Sequence, residues 1–238
     1  MTKLSININK IATLRNARGG KYPDPISCAI DLQKFGAEGI TVHPRPDERH
    51  IRYSDVYHLK PIVTTEFNIE GYPTDDFLTL VLEVNPTQVT LVPDPPTVLT
   101  SNAGWDTSKN QTFLKEKVKL LKEHNIRVSL FIDPDKSMIQ HAKETGADRI
   151  ELYTEAYAST FLIDPELAIK PYLEAAIFAN EIGIGINAGH DLNLKNLRYF
   201  KKMIPDLLEV SIGHAFVSDA LYFGFERTVE MYLKELKE

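Results

Sequence analysis

Along the chain, short apolar runs alternate with longer amphipathic ones. The short runs, expected as strands, fall at Leu4–Ile8, Gly39–His43, Thr65–Glu70, Gln88–Pro93, Arg127–Asp133, Arg149–Thr154, Ile184–Ala188 and Leu208–Gly213. Most read as too continuously apolar for a half-exposed strand, which suits parallel strands covered by helices. The amphipathic stretches predict helices over Asn110–His124, Pro165–Ile182 and Ser218–Leu236.

The punctuation agrees. Asp24-Pro25 and Asp164-Pro165 each place a capping carboxylate before a proline at the first helical position, where the missing N–H costs nothing. Gly36 and Gly146 stand where two helices should stop, each followed by a fresh strand. Eight strands separated by helical stretches predict an α/β architecture, a closed (β/α)8 TIM barrel, as one domain over residues 1–238. An open doubly wound sheet is the alternative. It usually carries a G-x-G-x-x-G turn after its first strand, and "NINKIATLRNARGG" (Asn7 to Gly20) has none.

Composition narrows the function classes. A net charge of −6 argues against a nucleic-acid partner, which needs a clustered basic surface, but leaves room for a local phosphate pocket. The single cysteine, Cys28, lies in an amphipathic stretch and reads as a buried structural thiol. "MTKLSININK" lacks a signal peptide's apolar stretch, and no run approaches the length of a membrane span. The expectation is a cytoplasmic protein with no membrane partner.

In a barrel, every strand C-terminus emerges on one face, where chemistry gathers. Here those ends carry Asn7, Asn9 and Lys10; His43, Arg45, Arg49 and His50; Glu70; Thr100 and Ser101; Asp133; Glu151; His190 and Asp191; and Gly213 with His214. One strand-end histidine is ordinarily structural, but three on one face point to function. Glu70 closes an apolar strand and reads as a base whose pKa burial has raised. Glu151 fits a buried salt bridge as well as a catalytic role. Glu66 reads as an ion-pair member, Asp133 as a helix cap, and His58, His124 and His141 as surface residues. No His-x-His pair marks an early strand, so no metal is expected. The Gly-His turns near 189 and 213 suit backbone N–H binding of phosphate. Arg45, Arg49 and His50 offer a second anion site, and Arg15 and Arg18 sit on an expected first loop. Arg18–Gly20 and the stretch Pro93–Asn110 are candidate lids.

"IATLRNARG", "GITVHPRPDERHI", "FNIEG", "VSLFIDPD", "IELYT", "NAGHDL" and "SIGHA" occur in this order over nearly the whole chain. The set resembles the pyridoxine 5′-phosphate synthase family of the deoxyxylulose-dependent vitamin B6 pathway. That resemblance implies a (β/α)8 barrel with additional helices, assembled as octamers built from dimers. It implies condensation of two phosphorylated small molecules, 1-deoxy-D-xylulose 5-phosphate and 3-amino-2-oxopropyl phosphate, with loss of phosphate and water and with no metal or organic cofactor. It makes His43 and Glu70 proton acceptors, His190 a proton donor and Glu151 a transition-state-stabilising carboxylate. Asn7, Arg18, Asp191, Gly213 and His214 then match positions that hold the amino-ketone phosphate. Asn9, Lys10, Arg45, His50 and Thr100 match positions that hold the deoxyxylulose phosphate.

Two departures stand out. The family commonly reads Asn-x-Asp-His on the first strand, where this chain has Asn7-Ile8-Asn9-Lys10, and it commonly follows "NAGH" with glycine, where this chain has Asp191. Two rivals follow from the residues alone: a sugar-phosphate isomerase or aldolase, the latter using Lys10 as a Schiff base, and a non-enzymatic homologue that binds a phosphorylated ligand.

Overall fold

The computed structural model describes residues 1–94 and 103–237. Among them, eight strands close in chain order into one parallel barrel: β1 (Lys3–Asn7), β2 (Gly39–Val42), β3 (Glu66–Gly71), β4 (Gln88–Leu91), β5 (Arg127–Ile132), β6 (Arg149–Tyr153), β7 (Gly185–His190) and β8 (Leu207–Ile212), which pairs back onto β1. Around them run α1 (Asn9–Arg18), α2 (Pro25–Lys34), α3 (Tyr53–Leu59), α4 (Asp75–Val84), α5 (Gln111–Glu123), α6 (Lys136–Glu144), α7 (Glu155–Phe161), α8 (Pro165–Glu181), α9 (Leu197–Met203), α10 (His214–Phe223) and α11 (Phe225–Lys237). This is the expected closed barrel, with helices beyond one per strand. No helix among the described residues is long and apolar enough to cross a membrane.

The caps form as the sequence dictates. Asp24 accepts the N–H groups of Ile26 and Ser27, and Asp164 accepts that of Leu167 at 3.0 Å. Three local expectations are corrected. The expected helix over Ser218–Leu236 is two, because the chain turns at Gly224 with φ 76 between α10 and α11. Asp135 rather than Asp133 caps α6, accepting the Met138 N–H at 2.9 Å, while Asp133 accepts the Gly104 N–H at 3.0 Å. The expected first loop is α1, and Gly19 (φ 71) ends it as a left-handed cap.

The strands are buried on both sides but apolar on only one. Leu4, Ile6, Ile40, Val42, Ile69, Val89, Leu130, Ile150, Ile186 and Val210 face the helices and are buried in the hydrophobic core. Most of the alternate positions turn inward and are polar. Ser5 bonds Thr41 at 2.7 Å, Asn68 donates to Thr41 at 3.4 Å, Thr90 donates to Asn68 at 3.1 Å, and across the barrel Thr90 reaches Glu151 at 3.4 Å. Barrels ordinarily fill this space with Val, Ile and Leu. Nearer the strand N-termini, Glu66 bonds both Lys3 and Arg127, the ion-pair role expected of it. Burial raises its pKa, but those two cations outweigh burial and hold it at about 2. Arg149 donates to Asn187 at 3.2 Å, and its guanidinium lies 3.7 Å from the Glu209 carboxyl. The apolar core therefore lies between barrel and helices, and the barrel itself encloses a hydrogen-bonded polar column.

Candidate active site

That column opens at the strand C-termini on the residues singled out above. Asn7, closing β1, donates through Nδ2 to Glu70 Oε2 at 3.3 Å and accepts the Asn9 N–H through Oδ1 at 3.0 Å. Asn9 in turn accepts the His43 N–H through Oδ1 at 2.9 Å. This chain of amides ties the ends of β1, β2 and β3 together and sets His43 Nδ1 3.9 Å from Glu70 Oε2. The His50 ring stands edge-on to His43, centroids 5.9 Å apart.

The electrostatics of this corner are unusual. Burial, then the charges of Glu151, Glu209 and Asp94, push the Glu70 carboxyl well above its ordinary range. Burial, then Arg45, His50 and Arg49, push His43 well below its own. Both shifts favour the uncharged forms, so a neutral imidazole faces a proton-bearing carboxyl rather than forming an ion pair. His50 is lowered to about 4, by burial and then by Arg45 and Lys10. Two neutral imidazoles among three cations make a pocket wall suited to an anion. Arg45 is itself buried against Asp94 at 3.3 Å, and Arg49 bonds Asp47.

Opposite stands Glu151 on β6, 3% exposed and raised to about 7, chiefly by burial and against the lowering effects of Thr90 and His190. Its carboxyl fits because residue 189 is glycine: a Cβ there would lie 2.4 Å from Glu151 Oε1. His190 ends β7, with Nδ1 2.5 Å from Asp191 Oδ2 and its ring edge-on to Tyr153 at 5.1 Å. Gly213 approaches Asn7 so closely that a Cβ would stand 3.1 Å from the Asn7 Cβ, and His214 opens α10, exposed. Lys10 and Arg18 are exposed on α1. Thr100 and Ser101, with the middle of the Pro93–Asn110 stretch, lie outside the described residues.

The structure thus brings Asn7, Asn9, His43, His50 and Glu70 into direct contact, and links Glu151 and His190 by charge. It removes Arg15 from the anion-binding candidates. Arg15 is 5% exposed, forks onto Asp55 at 2.6 and 2.8 Å and donates to the His50 carbonyl at 3.2 Å. Thr90, Asn68 and Glu209 are contributors that the sequence reading missed. Among the described residues, no three His, Cys, Asp or Glu side chains cluster as a metal site. What converges is acid–base chemistry: two neutral imidazoles, two carboxyls with raised pKa values, and an exposed imidazole bonded to a carboxylate.

Comparison with known proteins bears on which reaction this serves. A family model described as "Pyridoxal phosphate biosynthesis protein PdxJ" matches residues 4–238. The pyridoxine 5′-phosphate synthase of Cytophaga hutchinsonii is 61% identical over 238 residues, covering 100% of both chains. That of Phocaeicola vulgatus is 61% identical over 232 residues, 98% of each. Among solved structures, phosphoribosylanthranilate isomerase from Thermotoga maritima superposes with a TM-score of 0.62 at 15% identity, over 100% of this chain and 99% of that one. Tryptophan synthase from M. tuberculosis gives 0.66 at 12% identity, over 99% and 92%. At such identities these two structures show the barrel fold alone.

Proposed function

Because the chain belongs to the PdxJ family of pyridoxal phosphate biosynthesis proteins, we infer that it makes pyridoxine 5′-phosphate in vitamin B6 biosynthesis. It condenses 1-deoxy-D-xylulose 5-phosphate with 3-amino-2-oxopropyl phosphate and releases phosphate and water. The observation that carries this reading is 61% identity, end to end, to a pyridoxine 5′-phosphate synthase.

The assignment of steps is our proposal, and the geometry of the mouth supports it. Ring formation requires an amine to add to a ketone, water and phosphate to leave, and a carbon–carbon bond to close. Each step moves protons. Glu70 takes the proton of the incoming ammonium. Burial favours the protonated form of Glu70, and an arriving cation supplies the opposite charge that favours its ionised form. His43, neutral and beside it, is the second base. Glu151, once ionised, stabilises the cationic imine-like intermediates from the opposite wall. His190 gives a proton to a leaving group. Lys10, Arg45 and His50, with Asn9, hold the deoxyxylulose phosphate; Thr100 joins them by family resemblance. The amino-ketone phosphate lies against Asn7, Arg18 and the Gly213-His214 turn. Asn9 spends Oδ1 on the His43 N–H, which leaves its amide NH2 for a substrate oxygen.

We further propose one cytoplasmic domain over residues 1–238, assembled as a homo-octamer. The exposure of Leu162, Ile163, Leu221 and Tyr222, each more than 70% accessible, supports burial of these faces between copies.

The test is a coupled assay with both substrates and a chelator present, following pyridoxine 5′-phosphate absorbance and phosphate release together. The wild-type chain should form product. Glu70→Gln and His43→Asn should each lose on the order of 10²–10⁴-fold in kcat while melting like wild type. Full turnover in both variants would overturn the assignment of bases, and absence of product from wild type would overturn the reaction.

A further inference from the structure

By family resemblance Asp191 stands where the amino-ketone phosphate is held. Its carboxylate is engaged elsewhere: Oδ2 lies 2.5 Å from His190 Nδ1. Adjacent side chains in a strand point to opposite faces, so this contact needs the strand to break. It breaks at His190, whose φ is 92, a conformation that a non-glycine residue keeps only when its surroundings impose it. The surroundings are visible. Asn193 and Asn196 donate through their side-chain amides to the Asp191 carbonyl at 3.2 and 3.4 Å, and Thr154 donates to the Gly189 carbonyl at 2.8 Å. The Tyr153 ring meets the imidazole edge-on, centroids 5.1 Å apart. A carboxylate pointed at a phosphate would repel it, whereas a carboxylate on an imidazole N–H orients the ring and selects its tautomer.

We propose that Asp191 is a positioning residue for proton donation. It accepts the His190 Nδ1–H, fixes that tautomer, and leaves Nε2 as the atom that exchanges protons with substrate. In the donating step, imidazolium Nε2–H passes its proton to the departing oxygen. The Nε2–H bond breaks as the new O–H bond forms, and the ring relaxes to the neutral Nδ1–H form, still bonded to Asp191. The other titratable groups facing His190 come from β6, Tyr153 and Glu151. The pair is partly exposed, at 38% and 37% for the two side chains, so water screens part of the effect. The proposal rests on the reading of His190 as proton donor.

The experiment uses the full chain as wild type, Asp191→Asn, Asp191→Gly and His190→Asn. Nitrogen NMR of the His190 ring reads the tautomer without reference to activity. Steady-state kinetics read kcat and the KM for 3-amino-2-oxopropyl phosphate across the pH range. Wild type should show the Nδ1–H tautomer, and Asp191→Gly a mixture dominated by Nε2–H. Asp191→Asn and Asp191→Gly should lower kcat on the order of tenfold, a fraction of a full acid–base contribution. The KM for 3-amino-2-oxopropyl phosphate should change less than kcat. An unchanged tautomer in Asp191→Gly would overturn the dyad whatever His190 does. A raised KM with kcat intact would return Asp191 to substrate binding. Wild-type kcat in His190→Asn would sink the proton-donor reading itself, a failure visible without any Asp191 variant.

Discussion

Glu209→Gln should stabilise the protein increasingly as pH rises. Glu209 is 2% exposed inside the barrel, and burial, followed by the adjacent Glu66 carboxylate, raises its pKa to about 8. Arg149 stands only 3.7 Å away, but Glu66, held near 2 by Lys3 and Arg127, keeps the negative charge of the pair and leaves the proton on Glu209. A group whose folded pKa lies above its unfolded one contributes stability that is complete below the unfolded value and lost as pH climbs through the folded value. Here the window runs from 4.5 to about 8. At about 1.4 kcal/mol per pH unit, that window caps the loss at about 5 kcal/mol. Glutamine keeps the shape and supplies an N–H toward Glu66 where the protonated acid supplies O–H, so the variant lacks this loss.

The assay is urea unfolding of both proteins at a series of pH values. Comparing the stability difference between variant and wild type at each pH removes titrations that do not interact with Glu209. Below pH 4.5 the two proteins should be closely matched, and the measurement at pH 5.5 serves as the baseline. Near pH 8 the variant should have gained about 3 kcal/mol relative to that baseline. A difference independent of pH would refute the reasoning. So would a variant weaker at pH 8 than at 5.5, because Glu209 would then be ionised and paired with Arg149.

Two further outcomes follow from the site. If Glu151 acts as a carboxylate, turnover should rise with pH through about 7, and Thr90→Val, which removes a donor that favours the charged form, should move that rise upward; an unmoved profile would separate Thr90 from Glu151. Arg15→Met or Asp55→Asn strands one member of a buried ion pair and should cost about 3–5 kcal/mol. The loss of the Arg15 donor to the His50 carbonyl should also raise the KM for deoxyxylulose phosphate. The double change Arg15→Met, Asp55→Leu should cost less than either single change, which denaturation and kinetics together check.

The barrel was legible because its cause is local: each strand's outward residues are apolar, and capping acids, prolines and glycines mark the helix ends. The polar column was equally present, as alternation in Ser5 and Asn7, Thr41 and His43, Asn68 and Glu70. Period-two polarity ordinarily marks a face in water. Only closure of the sheet turns that face inward, and closure is not a property of any one strand. Glu209 was lost inside an apolar run for the same reason. The segment carrying Arg15 and Arg18 has too few apolar residues to show a helical stripe, since α1 buries only Ile11, Ala12 and Arg15. Its buried arginine looks like a surface charge until Asp55, forty residues away, is brought beside it. The contact of His190 with Asp191 defied the sequence most directly, because it exists only through one positive φ.

The polar column also explains why the departures at Asn9 and Lys10 leave the architecture intact. Stability resides chiefly in the apolar layer between strands and helices, where Leu4, Ile6 and Ile8 are fully buried. Residues at the mouth belong to a different layer and answer to hydrogen bonding rather than to volume. Asn9 meets that demand by accepting the His43 N–H through Oδ1 while its backbone N–H donates to the Asn7 carboxamide, and asparagine does so without the charge an aspartate would add. That neutrality matters where Glu70, Glu151, Glu209 and Asp94 already crowd one low-dielectric space, three of them raising the pKa of the fourth, Glu70. A further anion beside His43 would favour its charged form and remove the neutral base that the proposed chemistry requires. Exposed Lys10 adds the opposite influence, lowering His50. The two exchanges at the end of β1 thus act in one direction: they keep the imidazoles uncharged and the pocket wall positive toward a phosphate.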